Sequence, residues 1–503
     1  MAGIFPITLP KKGRMNMKIY SFPENYEKVS DAFSVVTENG EKIGVYGCDV
    51  SAFPLNQVWP GYQRPFEQTE PTSFTMFGSD NAVTLIITPK DFFETVTVRP
   101  LDKNIKPELA DGKVRVTFPG AGQYSVEFDD MHHVLTVFID PEKEFGVDEE
   151  DENVLYFAPG VHYSEEITEL CDNETVYFAP GSVVYGGFSA SDKKNVRVLG
   201  YGILDNSSIE RGKGSPLCFS HCENVWVEGI TIVNSSAWTA HFSGCTNVTA
   251  DNIKLIGMWR YNSDGCDFTN CTNAVLRNSY LRNYDDCIVI KGLAGKTTLP
   301  VRNVYAENCV LWCDWGRAME IGAETCAPTI SDICFKNIHV IHGDSVMMDI
   351  QHGDHAEVSH IRFEDIYTEY TAKAMAGKLQ TARGEVYVNA NEKHMPLLFT
   401  ILTIHTMWSH DDVTGNISDV RFKNIHVHSE DGRIPPSNIA AAADNTVISD
   451  ILFEDIFVNG VKQTDKQTLG IDAGSTSDLP ESLIVGEGDA PKKGGIVKNV
   501  VLR

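Results

Sequence analysis

The chain is short of positive charge. Its 503 residues carry 42 Lys and Arg against 69 Asp and Glu, a formal net charge of −27. A surface that tracks phosphates needs clustered Lys and Arg, so nucleic acid is not an expected partner, and a neutral or cationic one suits the balance better. Long apolar runs are also missing. No stretch approaches the roughly 20 residues of a membrane-spanning helix, so no membrane partner is expected. The opening MAGIFPITLPKKGRMNMKIY has basic residues but no following apolar segment of the kind a signal peptide needs, and the chain as read is expected to be soluble and cytoplasmic. The twelve cysteines lack metal-type CxxC spacing. Several of them (Cys222, Cys245, Cys271, Cys309, Cys334) fall at strand-like positions, and they read as small buried hydrophobes in a reducing compartment.

What is present is 42% hydrophobic residues, enough for a sizeable core, arranged in two rhythms. Up to about residue 148, short alternating runs such as AVTLIIT, KVRVTF and HVLTVFI are separated by DGK, PGAG and DDMHH, the punctuation of an antiparallel β-sandwich. The charged PEKEFGVDEEDEN then marks a boundary, dividing residues 1–148 from 149–503. Beyond it KNVRVLGYGIL, ENVWVEGITIV, SDICFKNIHV, SDVRFKNIHV and SDILFEDIFV repeat one pattern, and Asn195, Asn224, Asn247, Asn273 and Asn303 recur every 23 to 30 residues. That period, without a 3.6-residue pattern, predicts a solenoid of β-turn-β units: a parallel β-helix of roughly ten rungs. A leucine-rich repeat is excluded by its missing leucine spacing and helical half. Residues 464–495, rich in Asp, Gly, Ser and Pro, read as a loop excursion before the last rung.

Within the repeats, NYDDCIVIKG places Asp285 and Asp286 side by side, and YNSDGCDFTN places Asp264 21 residues earlier. A one-rung offset in a parallel β-helix sets equivalent positions about 4.8 Å apart. Three carboxylates so close cannot all ionise freely, so at least one pKa should rise while others stay low. That supplies an acid and a base in one cleft, as glycosidic bond hydrolysis requires. The competing reading is structural: adjacent strand residues face opposite ways, and Asp commonly caps turns at such corners. Asp267 beside Asp264, and Lys291 at the end of the next strand, weigh toward chemistry.

NSDGCD followed by YDDCIVIKG resembles the N-T-D and D-D-C-x-A-x-K-x-G motifs of the polygalacturonases, glycoside hydrolase family 28. FAPGVHYSEEI, NVRVLGYGILD and NSSAWTAHFSGCTNVT resemble the opening rungs and the N-S-P-x-W-x-x-H segment of that family, and the resemblance covers roughly residues 153 to 370. A β-sandwich ahead of the helix resembles instead the dextranases of family 49. The resemblance implies an all-β protein with a right-handed, pectin-lyase-like parallel β-helix. It implies Asp285 as general acid, Asp264 and Asp286 positioning and deprotonating water in a single inverting displacement, Asn262 orienting the site, and no metal or other cofactor.

The chain departs from the polygalacturonase pattern where that family continues with G-H-G and R-I-K. It has WGRAMEIG and MMDIQHG, with Arg317 at the histidine and Asp349 and Gln351 at the basic pair. Carboxylate recognition favours a bidentate Arg or a Lys, so this loss favours a neutral sugar. Arg317 either binds an acidic group or pairs with Glu320 or Asp286. Further substrate-binding candidates are Lys291, His352 in QHGDHAE, and Trp59, Tyr62, Gln63 and Arg64 in the Pro/Gly loop VWPGYQRPFEQ, which could close over the cleft from the sandwich domain or from a partner subunit of a homo-oligomer. For Trp238, Trp312, Trp315 and Trp408, sugar stacking and core packing both stay open. The leading expectation is an inverting O-glycoside hydrolase acting on a neutral oligo- or polysaccharide, with exo-action. The alternatives are a pectin or galacturonan hydrolase, a β-helix lyase, epimerase or fructan transferase, and a non-catalytic binding module.

Overall fold

The computed structural model describes residues 17–52, 66–371, 378–379, 388–389, 395–471 and 495–503. Among these, regular structure is strand apart from three short 3-10 turns, and no helix is long and apolar enough to cross a membrane. From Val154 onward, apart from a small two-stranded sheet of Lys378–Leu379 and Val388–Asn389, the strands form one 27-stranded sheet, wound so that strands pair in parallel with their equivalents one turn later, except for the short antiparallel Val461–Lys462. The longest column stacks twelve strands, from Val154–Phe157 through Glu223–Glu228 and Thr272–Arg277 to Ile496–Leu502, two turns more than the repeat count predicts. A second column holds Ala240–Ser243, Cys266–Thr269, Ile288–Gly292, Arg317–Thr325, Val346–His352 and Leu397–Thr403. This second column carries the candidate site.

The recurring asparagines explain the repeat. Asn195, Asn224, Asn247, Asn273 and Asn303 all sit at φ of 56 to 58°, the left-handed region that Asn tolerates better than most residues. Each donates its side-chain amide to the side-chain oxygen of the Asn one rung before, at 2.8 to 3.1 Å, so from Asn173 to Asn303 the corner residue of each turn is bonded to its neighbours along the solenoid axis. Inside, the alternating apolar residues stack in register. Phe219, Phe242 and Phe268 lie 5.5 Å apart, and Phe335, Phe363, Phe422 and Phe453 are spaced at 4.8 to 4.9 Å. Cys222, Cys245, Cys271 and Cys309 are buried in this interior as unpaired thiols, whereas Cys334 is half-buried. Of the Asp- and Gly-rich excursion, residues 472–494 lie outside the described residues.

The N-terminal strands form a six-stranded and a five-stranded sheet, packed through Val35, Phe77, Leu85, Val116, Val126 and Leu135. The pairing is antiparallel with one exception: Thr69–Gly78 and Asp130–Asp140 run parallel. A second apolar cluster joins this unit to the β-helix, where Tyr46, Phe74 and Phe138 meet Val233, Ile256, Tyr280 and Trp312. Buried ion pairs cross the same boundary, Lys254 with Asp140 at 2.6 Å and Arg99 with Glu369. Trp312 is therefore a core residue, fully buried with its ring 3.7 Å from the Arg282 guanidinium, and stacks on no ligand.

Candidate active site

The second column is entered through turns, and those turns deliver the acidic residues. Cys266 is registered with Ile288, and Gly265 N–H donates to the Asp286 carbonyl at 2.7 Å, which places Asp264 next to the Asp285/Asp286 pair across one rung. The strict alternation that would send Asp285 and Asp286 to opposite faces does not apply, because both precede the strand that begins at Ile288. Both line one cleft with Asn262, Asp264, Lys291, Arg317, Glu320, Glu324, Gln351 and Thr406, between the aromatic rings of Trp238, Tyr261, Trp315 and Trp408. Gly316 makes room for this packing. A Cβ there would lie 2.4 Å from Asp286 Oδ1, the same oxygen that accepts the Arg317 backbone N–H at 2.7 Å.

Arg317 lies among several protein acceptors. Its guanidinium is 3.8 Å from Asp286, 3.9 Å from Glu320 and 3.4 Å from Asp349, and it donates to Gln351 Oε1 at 3.2 Å. Lys291 is similarly committed, 3.5 Å from Asp264 and 3.7 Å from Glu324, with its ammonium over the Trp238 ring at 4.6 Å. Including Asp267, buried one residue beyond Cys266, seven carboxyls surround two cations. Oδ1 of Asp264 and both oxygens of Asp267 are buried with no hydrogen-bond partner among the described residues.

Such crowding must be relieved by protons. Burial, reinforced by the Asp286 charge, pushes Asp285 up to about 7. Burial and the neighbouring Asp267 and Asp285 hold Asp264 well above the usual carboxylate range. Glu320 is likewise raised by burial and by Asp286, to which it is hydrogen-bonded. Burial alone would raise Asp286 as well, but the Glu320 hydrogen bond and the Arg317 charge overrule it, and Asp286 falls below its ordinary value. The cleft thus contains a carboxyl that keeps its proton near neutrality and, next to it in sequence, a carboxylate that stays ionised.

Two residues expected at the substrate surface are elsewhere. Asp349 is fully buried beneath Arg317, accepts the Thr400 hydroxyl, and supports the guanidinium without lining the cleft. His352 follows Gln351 on the same strand and faces the other way. It is fully buried, its Nδ1 lies 2.8 Å from Thr325 Oγ1, and burial lowers its pKa to about 4. Trp59, Tyr62, Gln63 and Arg64 lie outside the described residues. Asn262 lines the cleft with its side-chain oxygen held by Arg211 at 2.8 Å. Glu320, expected only as a candidate ion-pair partner of Arg317, also lines the cleft, as does Glu324, to which no motif pointed. Nearby, Cys326, Asp354 and Asp411 have the atom types of a metal site within 4.8 Å of one another, but the Asp354 oxygens accept three backbone N–H groups and Asp411 accepts from His355.

Fold and site together define a parallel β-helix protein with a carboxylate-lined cleft and an N-terminal β-sandwich. Residues 205–376, which include all three aspartates, match the glycosyl hydrolases family 28. The "Probable endopolygalacturonase D" of Neosartorya fischeri is 28% identical over 201 residues, covering 39% of this chain and 38% of that protein. "Rhamnogalacturonase A" of Emericella nidulans is 24% identical over 233 residues, covering 43% and 44%. The chain thus spans about two fifths of the length of these curated relatives. Among solved structures, Dex49A from Penicillium minioluteum shares the fold along nearly the whole chain, with a TM-score of 0.63, 96% of this chain and 97% of that one covered, and 14% identity.

Proposed function

We propose that the protein is an inverting O-glycoside hydrolase acting on a neutral sugar chain. The observation that carries the reaction class is the divided pair in one cleft: Asp285 raised to about 7, and Asp286 held low by Glu320 and Arg317. In this reading Asp285 protonates the departing glycosidic oxygen. Asp286 takes the proton of a water that Asp264 helps to position, and the water oxygen bonds to the anomeric carbon from the opposite face as the glycosidic bond breaks. Trp238, Trp315 and Trp408 offer faces for sugar rings, and Asn262, Gln351 and Thr406 offer hydroxyl-directed hydrogen bonds.

Charge carries the sugar class. A uronate carboxylate entering the cleft would meet, among the described residues, two cations already matched to Asp264, Glu324, Asp286 and Asp349, and would lose solvation without a free cation among them. The names of the matched relatives favour a second reading, a pectic chain of galacturonate or rhamnogalacturonate. A panel of neutral and uronic oligosaccharides, followed by reducing-end release and by absorbance of unsaturated products, separates the two. Reducing ends from neutral members alone are expected, with the monosaccharide appearing first if action is at chain ends. Turnover confined to uronides would overturn the neutral assignment, and an unsaturated product would overturn hydrolysis.

A further inference from the structure

Trp408 reaches the cleft on the loop 404–416, which belongs to no strand and comes from a turn of chain far from the aspartates in sequence. Several bonds tie this loop to the rung beneath it, and two of them converge on one buried side chain. Oδ1 of Asp354 accepts the backbone N–H of His410 at 2.6 Å and of Asp411 at 2.9 Å, and Oδ2 accepts that of Thr325 at 2.8 Å. The same Asp354 accepts at its carbonyl the N–H of Gly415. Asp411 closes the other side, accepting from His355 N and lying 2.5 Å from its Nδ1, while Cys326 Sγ approaches at 3.5 Å. Ser409 Oγ accepts Thr406 N–H at 3.0 Å, and a Cβ on Gly353 would lie 2.3 Å from that Oγ, so the loop sits against bare backbone.

Three amide donors on one fully buried carboxylate is more than packing needs, and two of them belong to the pair of residues two and three beyond Trp408. We infer that Asp354 is a positioning residue that fixes Trp408 as the sugar-stacking wall of the cleft, and that Trp408 is a determinant of substrate affinity. The inference rests on the hydrolase reading for its sugar half only. The clamp itself requires nothing of the reaction.

The test uses the full chain in two arms. Hydrogen exchange of the amides around residues 406–411 is compared among wild type, Asp354→Asn and the milder Asp411→Asn. Asparagine keeps the volume at 354 but is uncharged, which weakens the bonds from His410 and Asp411 N–H, and its amide group cannot accept from Thr325 N–H, so exchange there should quicken by roughly tenfold or more while amides of the aspartate turns are unchanged. In the second arm, KM and kcat are measured on the panel member cleaved fastest by wild type. Trp408→Ala and Asp354→Asn should each raise KM about tenfold with kcat within a few-fold, Trp408→Phe should recover most of the loss, and the Trp408→Ala/Asp354→Asn double variant should be no worse than Trp408→Ala. Unchanged exchange in Asp354→Asn overturns the clamp. Faster exchange with unchanged KM overturns the wall, as does additivity in the double variant. A wild type that cleaves no panel member overturns the hydrolase reading and the sugar half with it, while exchange still decides the clamp.

Discussion

Asp285→Asn is expected to lower turnover of an unactivated oligosaccharide by roughly a hundred- to ten-thousandfold while leaving the fold intact, as read by circular dichroism and thermal unfolding. Three parts of the structure lead to this. The Asp285 carboxyl is buried and raised to about 7, so it holds the proton that the leaving oxygen needs, and an amide of the same shape cannot give one up. Its carboxyl accepts a hydrogen bond from Asp286 N–H at 3.2 Å, which Asn can also accept, so the structural cost is small. The pH profile supplies the sign. In wild type, kcat/KM should fall as pH rises through about 7, when Asp285 loses its proton, and should fall on the acid side only as Asp286, held below its ordinary value, becomes protonated. Asp285→Asn should lose the alkaline limb and recover much of its rate on an aryl glycoside, whose leaving group departs without protonation. An unchanged alkaline limb in the variant would show that another group donates.

Arg317→Met should be the most destabilising substitution in the cleft, at about 3–5 kcal/mol in urea unfolding. Arg317 is 15% exposed and, among the described residues, the one cation within 4 Å of Asp286, Glu320 and Asp349 together, so removing it leaves buried carboxyls facing one another. The same loss removes one of the influences that keep Asp286 ionised, beside the Glu320 hydrogen bond, the Lys291 charge and the Arg317 backbone N–H, so the acid limb of activity should move to higher pH. Arg317→Lys keeps the charge without the planar fork and should lie between the two. A Met variant as stable as wild type would mean that Glu320 and Asp349 are neutral without help from the guanidinium, and that the charge argument against uronates is weaker than drawn.

Much of this was legible in the sequence because parallel β-helices write their geometry into a repeat. The Asn at each corner appears every 23 to 30 residues since only a few residue types take left-handed backbone and can also bond along the axis. The 21-residue offset of Asp264 and Asp285 is one rung, so their meeting could be derived. Glu320 could not be derived in the same way. Its place depends on the register Val289 to Glu320 to Asp349, and the length of the intervening turn, which sets that register, carries no motif. Asp349 shows the limit of a motif carried over by position, since it sinks beneath the arginine it supports, and His352, expected on a cleft-lining loop, is turned inward by strand alternation next to a residue that does face the cleft. Trp312 and Trp408 were indistinguishable as letters. Packing against the sandwich buries the first, whereas the second lies at the cleft on a loop bonded to Asp354.

The most direct test of the account is the configuration of the first product. Proton NMR of a reaction started with the fastest-cleaved oligosaccharide, recorded before mutarotation, should show the anomer opposite to that of the bond broken, because water bound by Asp286 and Asp264 attacks the face away from the oxygen that Asp285 protonates. A first-formed product with the original configuration would contradict the single displacement and require one of these carboxylates to act as a nucleophile.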